Sequence, residues 1–115
     1  MLQEDLISRY PKLFSDSSII ECSDGWSSII FDFCNVISGH IKYLPEEIKD
    51  QIYIVQIKEK FGALRIYMSL NTPYINGAIA LAETISARIC EVCGKDGVKK
   101  SFKGYIRTVC SEHER

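Results

Sequence analysis

Cys90 and Cys93 are separated by two residues, Cys110 and His113 by another two, and the two pairs by a gap of 16 residues. Three thiolates and one imidazole form a complete tetrahedral donor set for a soft divalent ion, the usual composition of a structural zinc site. The C-terminal segment is therefore expected to fold around Zn2+. Gly94 follows Cys93 directly and suits the tight turn such a knuckle needs. A redox role for the C-x2-C pair is disfavoured, because no strand–helix–strand context for a thioredoxin-like motif is evident in the sequence. A catalytic metal needs an open coordination position, and here all four are filled by side chains.

The 115 residues suffice for one compact domain. Hydrophobic residues make up 46% and charged residues 25%, which is globular rather than disordered composition. Net charge is −1 but unevenly spread. Residues 1–87 carry seven Lys/Arg against eleven Asp/Glu, a net of −4; residues 88–115 carry seven against four, a net of +3. The basic end could suit an anionic partner. The acidic start of the chain lacks the apolar stretch of a signal peptide, and no apolar run is long enough for a bilayer. The expectation is a cytoplasmic protein with no membrane partner, where thiols stay reduced and favour metal over disulfide. Cys22 and Cys34, outside the cluster, read as small apolar filler.

Helical spacing is clearest at Trp26, Ile29, Ile30, Phe33, Cys34 and Ile37, with Asp24 as N-cap. A second stripe, Ile75, Ala78, Ile79, Ala82, Ile85 and Ile89, follows Thr72-Pro73 and predicts a helix running straight into Cys90. A short helix is expected over 2–10, closed by Pro11. Residues 12–23 read as loop or short strand, and 46–50 as a short helix or turn. The stretches 52–57 and 63–70 read as a hairpin, with Gly62 free to take positive φ. One face would carry Tyr53, Val55 and Ile57 beside Leu64, Ile66 and Met68; the other Ile54, Gln56, Lys58, Arg65 and Tyr67. Val98–Phe102 and Tyr105–Val109 read as a second hairpin turning at Lys103-Gly104. The fold class is α+β: a small antiparallel sheet packed by two main helices, residues 1–89, continuous with a zinc-ribbon or knuckle hairpin, residues 90–115.

No catalytic constellation emerges. A zinc deaminase needs H-x-E and P-C-x-x-C, but His40 precedes Ile41-Lys42, and Arg88-Ile89 precede Cys90. An HNH-type nuclease needs spare histidines, and His40 is the single one outside the metal set. His40 reads as an ordinary residue at a helix end, and Asp32 as part of a solvated helix face. Two surfaces could serve binding. Lys58, Lys60, Phe61, Arg65 and Tyr67 surround the first hairpin. Lys99, Lys100, Lys103, Tyr105 and Arg107 form a basic, aromatic-bearing second hairpin. The latter could neutralise phosphates and stack on bases, contact an acidic protein, or simply be a solvated cover for the metal core.

Three blocks carry a resemblance: Glu21-Cys22-Ser23-Asp24-Gly25-Trp26; the stretch from Val55 to Tyr67 with Lys58-Glu59-Lys60-Phe61-Gly62-Ala63-Leu64-Arg65; and Cys90-Glu91-Val92-Cys93-Gly94 with Cys110-Ser111-Glu112-His113. Together they make the chain similar to a family of small uncharacterised proteins encoded by phages and prophages. The likeness spans about residues 10–113, with glycine commoner in the family where Ser23 and Ala63 stand here. It implies a phage or prophage accessory protein in a bacterial host cell rather than a housekeeping enzyme. Such a protein would bind a host or phage protein, for example to block a defence system as anti-CRISPR proteins do. The alternative is a nucleic-acid-binding zinc module using residues 95–107.

Overall fold

The computed structural model describes residues 2–114. Helix α1, Leu2–Arg9, buries Leu2 and Leu6 and stops before Pro11, which opens a 3-10 turn, Pro11–Leu13. Strand β1, Phe14–Glu21, follows. A 3-10 turn, Asp24–Trp26, leads into α2, Ser27–Ile41. Then come the single turn α3, Glu46–Lys49; the hairpin of β2, Ile54–Lys60, and β3, Ala63–Met68; and α4, Pro73–Ser86. Strands β4, Val98–Phe102, and β5, Tyr105–Val109, form a separate two-stranded sheet.

The larger sheet has the order β1-β2-β3. The β2–β3 pair is antiparallel, as expected. The third strand joins β2 in parallel, so a β1–α2–β2 crossover is present where the sequence suggested none. Of the two readings of residues 12–23, loop or short strand, the strand forms; Ser15, Asp16, Ser17 and Ser18 break the apolar alternation that would have singled it out. The register slips between Phe14, opposite Ile54, and Ile19, opposite Gln56. The serines compensate for the lost ladder: Ser18 Oγ donates to Ile54 O at 2.5 Å and accepts from Ser15 N at 2.9 Å. The crossover does not revive a thioredoxin-like reading, because the C-x2-C pair lies beyond α4, outside this unit.

One layer of helix covers one face of the sheet. Trp26, Ile30, Phe33, Cys34 and Ile37 of the α2 segment meet Ile54, Ile57, Leu64 and Ile66 of the strands, with Ile75 and Ala82 from α4. Each large side chain so buried contributes about 1.5–3 kcal/mol. An irregularity between Ile54 and Gln56 changes the expected face assignment. Ile54 and Ile57 are both buried and Val55 is exposed, so alternation fails on the first half of β2 while holding on β3.

Both hairpins turn through two residues of positive φ, Phe61 (53°) with Gly62 (79°), and Lys103 (51°) with Gly104 (92°). That is the twist-compatible hairpin connection, and glycine meets the second position without steric cost. Thr72 caps α4, its Oγ1 accepting from Ile75 N at 3.1 Å. Asp24 does not cap by its side chain: its carbonyl oxygen accepts from Ser27 Oγ at 2.6 Å instead. Helix α4 stops at Ser86, short of Cys90. Ser86 Oγ donates to Glu83 O at 2.6 Å and accepts from Leu64 N at 3.0 Å. Residues 87–89 then turn out of the helix, and Ile89 bridges to Asp96.

Candidate metal centre

The four Cys/His residues lie on two turns. On the first, Gly94 N donates to Cys90 O at 3.0 Å, and Cys90 N donates to Lys95 O at 2.7 Å. Gly94 takes φ +85°, the left-handed conformation the knuckle needs. On the second, the 3-10 turn Ser111–His113 carries His113 round to Cys110, its N–H reaching Cys110 O at 3.1 Å. The β4–β5 hairpin returns the second turn to the first.

One donor atom from each of Cys90, Cys93, Cys110 and His113 lies within 4.8 Å of the others. Cys93 Sγ and Cys110 Sγ are 3.7 Å apart; His113 Nδ1 is 3.7 Å from Cys90 Sγ and 3.1 Å from Cys110 Sγ. A tetrahedral ion with about 2.3 Å bonds to sulfur and about 2.0 Å to nitrogen sets its ligands roughly 3.5–3.8 Å apart. The cluster can hold a metal ion of zinc's size and softness. The sulfur separation is far beyond a disulfide bond of about 2.05 Å. Burial works to raise the Cys90 pKa, but amide N–H groups of Cys93, Cys110 and Val92 directed at the sulfur outweigh it, lowering the thiol to about 6 and favouring the thiolate a metal needs. Cys90, Val109 and Cys110 form a second small core, with Val92 and Phe102 packed against it.

The body grips this unit through residues that sequence reasoning did not place in the site. Gly25 N donates to Glu91 O at 2.9 Å, and a side chain at Gly25 would put its Cβ 2.2 Å from Cys90 O. Trp26, fully buried, donates Nε1–H to Ile89 O at 2.9 Å. From the other side, Thr108 Oγ1 donates to Gly62 O at 2.6 Å, both buried. A Cβ at Gly62 would stand 3.1 Å from Ile106 Cγ2. The first block thus touches the third directly, the second reaches the metal unit through Thr108, and the Gly25-Trp26 step and Gly62 are internal interface. The adjacency of Gly25 and Trp26 at a helix entry was the available signal.

The candidate binding residues divide. Arg65 pairs with Glu83 at 2.7 Å, Lys100 with Glu114, and Arg107 faces Glu91 at 3.5 Å. Glu91 is buried, and burial raises its pKa, partly offset by the Arg107 guanidinium. With Lys95 paired to Glu112 at 2.9 Å, three of the five cations in residues 95–107 meet carboxylates of their own unit. Lys60, Phe61, Tyr67, Lys99, Lys103 and Tyr105 are exposed and Lys58 half-buried, with the Lys60 ammonium 5.8 Å from the Phe61 ring centre. Lys58 and Tyr67 share the uncovered sheet face with Ile19 and Gln56. His40 stacks on Tyr74, ring centres 4.2 Å apart, and its Nε2 lies 2.9 Å from Thr72 Oγ1, away from the metal cluster.

Cys34 is buried in the main core, and burial pushes its thiol up to about 12. Burial, with Asp24 and Glu91 nearby, raises Cys22 to about 11. Both behave as protonated, apolar filler at neutral pH. No helix is long and apolar enough to cross a membrane among the described residues. No protein-family model, curated protein or solved structure matches this chain.

Proposed function

We propose that this chain is a non-catalytic binding protein whose fold is completed by one structural zinc ion and which acts by contact with another protein. The observation that carries the reading is the closed donor set: Cys90, Cys93, Cys110 and His113 supply four protein ligands within 4.8 Å of one another, leaving no coordination position for a substrate. Bound there, zinc supplies a cross-link between the two turns. The chain's own residues do the rest: Gly25, Trp26 and Thr108 fix the cross-linked unit against the helices and sheet.

The resemblance to phage-encoded proteins points to a bacterial protein as partner, with interference in a host defence as the role. A protein partner is favoured over nucleic acid because the paired cations leave Lys99 and Lys103 as the hairpin's cations without an ion pair among the described residues. Affinity purification of the tagged, zinc-loaded chain from infected cells, followed by mass spectrometry and reconstitution with the purified partner, tests the reading. A stoichiometric complex supports it. Repeated recovery of no specific protein, or salt-dependent binding to DNA or RNA instead, overturns it.

A further inference from the structure

We infer that the groove between α2 and α4 is the docking site for a basic amphipathic helix of a partner protein. The inference rests on the binding reading above and names its surface. The groove has a volume of about 550 Å3 and runs from Tyr74 to the knuckle at Gly94. Its walls are apolar and unusually open for such side chains: Leu81 is 62% exposed, Tyr74 53% and Val36 42%. These residues lie outside the core that α2 and α4 already share, so no element of this chain covers them among the described residues.

Shape favours a helix as the occupant. Gly77 and Ala78 line the groove, and a Cβ at Gly77 would meet nothing within 4 Å. Small residues there allow a partner backbone to approach to the 8–10 Å of ordinary helix packing. Apolar walls with a small floor suit a helix presenting side chains at i, i+3, i+4 and i+7.

Charge decides which helix. Residues 24–41 and 66–87, which contain both helices, hold no Lys or Arg at all. Their carboxylates are Asp24, Asp32 and Glu83. Glu83 is taken by Arg65, whereas Asp24 and Asp32 carry no ion pair among the described residues. Asp32 lies in the groove lining itself. A partner helix with Lys or Arg beside its apolar stripe pairs Asp32, and Asp24 adjoins the lining residue Gly25. A second copy of this chain would set acid against acid, with no cation in either helix to relieve it.

The test uses the full-length zinc-loaded chain and two synthetic helical peptides. Both have Leu at i, i+3, i+4 and i+7; one carries Lys at the flanking positions and the other Glu. The Lys peptide should bind at least about tenfold tighter by fluorescence anisotropy. Leu81→Glu should weaken it by about tenfold or more, with zinc content and thermal unfolding unchanged because Leu81 is exposed. Asp32→Lys should shift preference towards the Glu peptide. Equal binding of both peptides, binding unchanged in Leu81→Glu, or self-association of the chain that Leu81→Glu abolishes would each overturn the inference. The natural partner separates the two claims. If Leu81→Glu still captures it, the groove is wrong and the binding reading stands; if the wild type captures none, the binding reading fails.

Discussion

The indole N–H of Trp26 donates to the carbonyl oxygen of Ile89 at 2.9 Å, joining the entrance of α2 to the residue before Cys90, the first of the four clustered donors. Gly25, its neighbour, accepts no side chain because Cys90 O occupies that space. The body and the C-terminal unit are therefore in direct contact at this point. Gly25→Ala should cost about 1–3 kcal/mol or more by overpacking backbone against backbone. Trp26→Phe should cost about 1–3 kcal/mol by leaving the part-buried Ile89 carbonyl without its donor. Urea unfolding of zinc-loaded protein measures both; equal stability to wild type would show that the contact is dispensable.

Thr108 and Gly62 make the corresponding tie from the β2–β3 turn. Thr108→Val keeps the shape and removes the hydroxyl. The expected loss is about 1–3 kcal/mol, from the unsatisfied Gly62 oxygen. Amide exchange should accelerate in β5 and around Gly62 together. Acceleration in β5 alone would mean that the two hairpins open independently.

Glu91 gives the fold a pH signature. Burial raises its pKa; Arg107 lowers it in part, and Glu59 raises it further. A folded-state pKa above the unfolded value near ~4.3 means that folding takes up a proton. This contribution to stability is present below the unfolded pKa and is lost as pH rises through the folded one. The stability of wild type minus that of Glu91→Gln should therefore fall as pH is raised from about 4 towards 7. Zinc content of both proteins is followed at each pH, because Glu91 adjoins Cys90. A difference that is flat, or rises, contradicts the assignment.

Thiol labelling should separate the five cysteines by environment. Cys34, held near 12 by burial, should resist iodoacetamide at neutral pH until the chain unfolds. Cys93 is exposed, so its protection should come from the metal. A chelator should make Cys93 reactive while leaving Cys34 inert. Early modification of Cys34, detected by peptide mass spectrometry, would show that the main core opens when the metal leaves.

The cluster of Cys90, Cys93, Cys110 and His113 was legible because spacing and donor chemistry are both local. The two hairpins were legible for the same reason: Phe61-Gly62 and Lys103-Gly104 sit between β-rich stretches. Helix α4 was overextended to Ile89 because its apolar stripe continues past the point where Ser86 turns back on Glu83 and takes the Leu64 amide. Strand β1 was obscure since its pairing is stabilised by serine hydroxyls within an irregular register, and periodicity does not register such bonds. The meeting of Gly25 with Glu91, and of Gly62 with Thr108, depends on contacts 66 and 46 residues apart in sequence, which no local pattern encodes. Three cations of residues 95–107 meet Glu91, Glu112 and Glu114, which lie outside that stretch, so these pairings had no local signature.

Elemental analysis of the purified chain, with far-ultraviolet circular dichroism before and after chelation, tests the structural-metal account most directly. The expected result is about one zinc per chain, lost in Cys93→Ser, with β4–β5 structure disappearing on chelation and returning with added Zn2+. A chain purified without metal that keeps its C-terminal hairpin folded, or stoichiometric zinc retained in Cys93→Ser, would contradict it.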